Sequence, residues 1–269
     1  MSGEEKAVDS LKSVRDTSPL SSRNTSKGAL LQETYATFRA VADGQPLSEV
    51  HQRILDGEVF KKTSYQTRRK IRNALDHRYL FEFHRWIASS LAQASLEGID
   101  SSRFRSLAYL YFCLRDRLTF EFVTEFVWRR WQDGLTSLDR EDVLTFIEGR
   151  IEAEPSIAKW RESTRKKLAG NMLSALRDFG LFKGTSKKQI QRPVISGEAV
   201  FHLLTILMAE GLTGRSLLQA TDWRLFLFNE NQVTQALQDL SQQKWIRFER
   251  GGNTVVLELI RLPEVGEDD

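Results

Sequence analysis

Ten lysines and arginines fall between residues 159 and 192, against two acids, Glu162 and Asp178. Arg165, Lys166 and Lys167 crowd the start of an amphipathic stretch, and Lys187, Lys188 and Arg192 crowd the segment after it. A second concentration runs from residue 51 to 90, nine Lys/Arg against four acids, and includes Arg68, Arg69, Lys70 and Arg72. Fixed cations at this density suit a polyanion, because each phosphate they neutralise releases condensed counterion. Arg165 and Asn171 add side chains with the chemistry for guanine and adenine edges. Nothing in the sequence shows that they reach a groove, so weak sequence preference is expected. The competing reading of either cluster is an ordinary solvated helix face.

Catalytic chemistry is poorly supplied. There is no GxxxxGK[ST] phosphate cradle, so no ATPase activity is expected. The four histidines are His51, His77, His84 and His202. His77 and His84 lie seven apart on an expected helix, with no further His or Cys to complete a zinc site. Glu121 and Glu125 lie four apart among Phe and Val, which fits a helix edge better than a two-metal nuclease. The one cysteine, Cys113, excludes an internal disulfide and sits in an apolar run, as a buried inert thiol does. The chain therefore reads as a non-enzyme with no cofactor, no metal and no small-molecule substrate. It has no apolar leader and no apolar run near the roughly 18–20 residues of a membrane span. A cytoplasmic protein without a membrane partner is expected.

The elements that must position these cations are helices. The 269 residues are 41% hydrophobic and 10% aromatic, enough for a core, and the net charge is only +3, so the basic character is local. In the stretch STRKKLAGNMLSALRDFGLFKGTSKKQIQR, Leu168, Met172, Ala175, Leu176 and Phe179 form one helical stripe. Ser163 is the expected N-cap, with Gly180 and Gly184 as stops. A helix over residues 139–152, a break at Pro155, this basic helix and the basic loop together make a winged-helix layout. Residues 199–262 repeat that layout, ending in WIRFERGGNTVVLELI, two strands about Gly251, Gly252 and Asn253. The corresponding helix there, NENQVTQALQDLSQQ, has no Lys or Arg. Upstream, a short helix over residues 48–55 ends at Gly57, and Thr63 or Ser64 caps the basic helix carrying Arg68 to Arg72, a helix-turn-helix candidate. Residues 81–133 hold aromatics at helical spacing, among them Phe83, Trp86, Phe104, Tyr111, Phe122 and Trp131. Such spacing marks the hub of a bundle.

The expected fold is mainly α: a helical bundle with helix-turn-helix and winged-helix units and a small C-terminal β-hairpin. Its expected parts are a flexible N-terminal arm (1–28), a helical bundle with the basic helix-turn-helix-like unit (29–134), a basic winged-helix-like unit (135–198), a second winged-helix-like unit (199–262) and an acidic tail (263–269).

Four ordered blocks carry a family resemblance: ILDGEVFKKTSYQTRRKIRNALDHRYL, LAYLYFCLRDRLTFEFVTEFV, STRKKLAGNMLSALRDFGLFKG and GLTGRSLLQATDWRLFLF. Through them the chain resembles the BrxA family of the BREX bacteriophage-exclusion systems over most of residues 45–260, with the first 28 residues outside. The resemblance implies a small, mostly helical, DNA-binding member of a multi-gene phage-defence island, with other BREX proteins as partners. The combined expectation is a non-catalytic component that binds duplex DNA through Arg68, Arg69, Arg72, Arg165, Lys166, Lys167, Asn171, Lys187, Lys188 and Arg192. Two alternatives stand beside it. One is an assembly subunit that docks other defence proteins, favoured by the uncharged third unit. The other is an RNA-binding helical protein, which the missing RRM signature makes the weaker reading.

Overall fold

The computed structural model describes residues 14–61, 64–79, 85–252 and 254–261. Phe83, His84, Thr63, Asn253, the first 13 residues of the expected arm and the acidic tail lie outside the described residues.

Four helices build the first half around a fifth. They are α1 (Leu31–Ala42), α2 (Leu47–Asp56), α3 (Tyr65–Tyr79) and α4 (Arg85–Ser95), packed on or near α5 (Ser102–Leu114). Residues 106–114 of α5 are buried without a break. A helix that is apolar on every side can only be central. Ser101 caps it, its hydroxyl accepting from the Phe104 amide at 3.1 Å, and Ser64 caps α3 by accepting from Thr67 at 3.2 Å. Cys113 is fully buried on α5, and burial pushes its thiol well up, as an inert cysteine requires.

The next helix is not the continuous α-helix its aromatics suggest. α6 (Arg117–Glu121) passes through a π-helical segment (Phe122–Val127) into α7 (Trp128–Gln132). Arg224 donates to the Thr124 carbonyl at 3.4 Å and lies over Trp128, so a distant side chain meets this widened segment.

The second half holds both small sheets. β1 (Ser137–Leu138), α8 (Arg140–Glu148), a 3-10 turn (Pro155–Lys159), α9 (Glu162–Asp178), β2 (Phe182–Lys183) and β3 (Lys188–Ile190) follow in order. The three strands form an antiparallel sheet in the order β1-β3-β2, with Leu138 opposite Lys188 and Phe182 opposite Ile190. A capping box of Asp139 and Asp142 starts α8. Then come α10 (Gly197–Ala209), α11 (Gly214–Leu218), a 3-10 turn (Thr221–Phe226) and α12 (Glu230–Gln242). The hairpin β4 (Ile246–Gly251) and β5 (Thr254–Leu259) ends the order, paired from Ile246 and Leu259 to Gly251 and Thr254. The molecule is thus mainly α with a C-terminal hairpin. Most of its buried apolar residues form one connected cluster from Val14 to Phe248, while Val50 and Ile54 of α2 are buried outside it.

Two expectations need correction. Residues 14–28 are not a free arm. Val14, Leu20 and Asn24 are buried, Arg15 donates to Glu210 and pairs with Asp222, and a 3-10 turn (Arg23–Ser26) packs on α9. Its polar composition hid two well-placed apolar anchors and an arginine with two acceptors. Ser163 is not the cap of α9 either. The helix begins two residues earlier than such a cap would start it, at Glu162, with Arg161 at the N-cap and no side-chain cap.

Candidate nucleic-acid interface

α9 buries Leu168, Ala169, Met172, Leu173, Ala175 and Leu176, which turns the opposite side outward. Lys166 and Lys167 are exposed on that side. Lys166 reaches back one turn to Glu162 at 2.5 Å, a contact between exposed groups that solvent screens. Lys167 has no partner among the described residues. Arg165 is half-buried and 3.6 Å from Glu148. The helix ends at Gly180, whose φ of +90° lets Leu181 bond back to the Leu176 carbonyl at 2.9 Å.

The loop between β2 and β3 carries Lys187 at its exposed tip, and Arg192 is exposed just beyond β3. Lys188 behaves differently. It is 5% exposed, its ammonium donates to the Gly184 carbonyl at 2.9 Å and also to Thr185, and burial, then nearby Arg177, lower its pKa. Lys188 therefore ties the loop together from inside. The loop also needs Gly184: its φ is +92°, and a Cβ there would stand 2.6 Å from the Lys187 carbonyl oxygen.

Three of the sequence-predicted contacts thus turn inward. Besides Lys188, Asn171 donates its amide to the Asn24 carbonyl at 3.1 Å, so it packs the 3-10 turn against α9 instead of presenting a donor and an acceptor to an adenine. Arg68 folds back over Gly57 and donates to the Leu55 carbonyl at 2.6 Å, fastening α3 to the end of α2. Arg72 is held by Asp76 at 3.4 Å and donates to Asn73. Arg69 stays exposed, with Lys70 beside it. Short-range spacing cannot distinguish an arginine that caps a neighbouring helix from one that faces water.

The structure adds cations that spacing passed over. Arg140, at the start of α8, places its guanidinium over Gly170 of α9, where a Cβ would lie 3.7 Å from it. A glycine at that point leaves room for this approach. Lys159, Arg161 and Lys183 are exposed around the same helix and loop. All three were within the charge tally, but only the fold shows which of the ten face out.

The two basic helices meet through Asn24. Arg78 of α3 is 3% exposed and lies over the Phe112 ring at 4.7 Å. It donates to Asn24 Oδ1 at 2.7 Å, to the Ala29 carbonyl at 3.2 Å and to the Lys27 carbonyl at 3.3 Å. Asn171 of α9 reaches the same Asn24 from the other side. Arg78 is one of the cations counted in the upstream basic segment, and it belongs to the interior.

Among the described residues no group of three or more His, Cys, Asp and Glu is placed to hold a metal ion. No helix among them is long and apolar enough to cross a membrane. The family model of BrxA matches the chain over residues 19–206. No curated protein matches it. The matched span takes in Asn24 and both basic helices and ends inside α10. Residues 19–28 therefore fall inside the family match, and the GLTGRSLLQATDWRLFLF block falls beyond it.

Proposed function

The chain belongs to the BrxA family and so is a component of BREX phage defence, and from that premise we propose that it is the non-catalytic member that holds duplex DNA. One observation carries the reading. Lys167, Lys187 and Arg192, with Arg140, Lys159, Arg161 and Lys183, are exposed around one helix and one loop. None of them has a carboxylate partner among the described residues. The order of strand, helix, helix, strand, loop and strand, with the sheet order β1-β3-β2, fits a winged helix whose recognition helix is α9 and whose wing is the loop over residues 184–187. Arg69 and Lys70 on α3 are a second exposed basic pair. Because Asn171 is engaged internally, the contacts available are mainly to phosphate, and weak sequence preference follows. The protein acts in the cytoplasm on this reading.

The test is a duplex titration across salt concentrations. The slope of log affinity against log salt should be about −0.9 for each phosphate contact, so four to six contacts give roughly −4 to −5. Affinity that ignores salt, or no binding to duplex at all, overturns the reading. A second role rests on α12, which carries acids and glutamines and no Lys or Arg on its exposed side. That helix suits docking to another BREX protein better than docking to DNA.

A further inference from the structure

A cleft of about 470 Å³ opens where α4 and α5 of the first half meet α10 and the start of β4. It lies away from the basic helix and loop. One wall is aromatic: Phe201 and Trp245 meet edge-on at 5.4 Å between ring centres. The Arg261 guanidinium lies 3.5 Å from the Trp245 centroid and 5.7 Å from that of Phe201. Arg261 is exposed and has no carboxylate partner among the described residues. Stacking holds its guanidinium on the indole while the side chain keeps an exposed position among the described residues.

The opposite wall is charged but balanced. Arg103 is held by Glu198 through two nitrogens, one at 3.2 Å, and by Glu97 at 3.0 Å. Its charge is spent on those carboxylates, which keep acceptor capacity of their own. His202 forms the floor and is 2% exposed. Its Nδ1 is 2.6 Å from the Tyr111 hydroxyl, while its Nε2 lies 3.8 Å from Glu198, beyond hydrogen-bond reach. Behind it the Trp86 ring packs at 5.2 Å. His202 lines the cleft and its Nδ1 is engaged by Tyr111, so Nε2 is the ring nitrogen left for a ligand atom.

We propose that this cleft binds a nucleoside monophosphate. The planar base extends the Trp245–Arg261 stack, since a guanidinium plane accepts an aromatic ring on its free face. The phosphate meets the N–H edges of Arg261, which has no carboxylate partner among the described residues. Exocyclic amines and ribose hydroxyls donate to Glu198, and His202 Nε2 supplies the partner for a ring or hydroxyl oxygen. The volume lies within the range of small-ligand sites. The sequence suggested no small-molecule ligand because its contributors are scattered over residues 89 to 261 and form no motif.

The test uses the full chain and isothermal titration with AMP, GMP, CMP and UMP, beside the four matching nucleosides and inorganic phosphate. At least one nucleotide should saturate with a dissociation constant below about 1 mM. The matching nucleoside should bind roughly tenfold more weakly, and phosphate alone should not saturate. Arg261→Gln, at an exposed position, should weaken nucleotide binding about tenfold or more with an unchanged melting curve. Trp245→Leu should do the same, with its melting curve reported alongside because Trp245 also packs on Phe201. Lys187→Gln should leave nucleotide binding unchanged. Failure of all four nucleotides to saturate, full affinity in Arg261→Gln, or loss of binding in Lys187→Gln overturns the proposal. The last result would move the nucleotide to the basic surface. None of these outcomes bears on duplex binding, which the salt titration decides separately.

Discussion

Arg78 and Asn171, one from each basic helix, hydrogen-bond the same residue: Arg78 to the Asn24 side chain at 2.7 Å and Asn171 to its carbonyl at 3.1 Å. The turn that carries Asn24 thereby fixes α3 and α9 relative to each other. Asn24→Ala removes the side-chain acceptor and leaves the carbonyl. A hydrogen bond to a charged group contributes about 1.5–3 kcal/mol, so a stability loss of that size is expected in urea denaturation. Duplex affinity should fall as the two helices lose their shared support. The salt slope should stay at the parent value, because no cation has been removed. A changed slope with unchanged stability would contradict this role for Asn24.

The loop lysines separate by the same logic. Lys187→Gln and Lys167→Gln each remove an exposed cation and should make the salt slope shallower by about 0.9. Lys188→Gln should leave the slope as it is and lower the urea midpoint, because the Lys188 ammonium satisfies the carbonyls of Gly184 and Thr185. If Lys188→Gln changes the slope as Lys187→Gln does, Lys188 reaches DNA and its inward position is not the bound one.

Which of these distinctions can be seen in sequence follows from their range. The amphipathic stripe of α9, the glycine stop at Gly180 and the β4–β5 hairpin are set by residues a few positions apart, and periodicity shows them. The direction of an arginine or lysine is set by what stands across the fold. Arg78 finds Asn24 across 54 positions, and Asn171 finds it across 147. Arg140 settles over Gly170 only because α8 packs on α9. The anchoring of residues 14–28 has the same origin, since Arg15 meets Glu210 and Asp222 far along the chain. The family blocks anticipated the family, and the fold was needed to sort inward from outward charge within them.

Acid should weaken the fold through two histidines. Burial first, then Arg23 and Arg115, lowers His77 from 6.5 to about 4. Burial first, then Arg103 and Arg261, lowers His202 from 6.5 to about 3. His77 Nε2 lies 3.0 Å from the Arg115 carbonyl, and the Arg23 guanidinium contacts both ring nitrogens, a cation beside the ring that disfavours a second positive charge there. The Asp16 carboxylate 3.4 Å away favours the cation but is outweighed. Below about pH 6.5 the unfolded chain takes up protons that the folded chain refuses, so stability is full above that value and is lost as pH falls toward 4. The loss approaches about 1.4 kcal/mol per pH unit for each histidine. Urea midpoints at pH 7, 6 and 5 should fall in that order, and His202→Phe should flatten the trend. Midpoints that do not move between pH 7 and 5 would rule out the buried neutral histidines.

The tightest test of the loop is Gly184→Ala. The residue has a φ of +92°, and the added Cβ would stand 2.6 Å from a backbone oxygen that cannot swing aside as a side chain can. A non-glycine residue held in that region costs about 1–3 kcal/mol, so the loop should shift to relieve the contact. Its movement would carry Lys187 with it and loosen the two carbonyls that Lys188 holds. The expected result is a drop in duplex affinity larger than that of Lys187→Gln, with a lower melting temperature and no change in helical circular dichroism, because α9 has already ended at Gly180. Parent-like affinity in Gly184→Ala would mean that the loop plays no part in holding DNA, and the contact would then rest on α9 and its flanking cations alone.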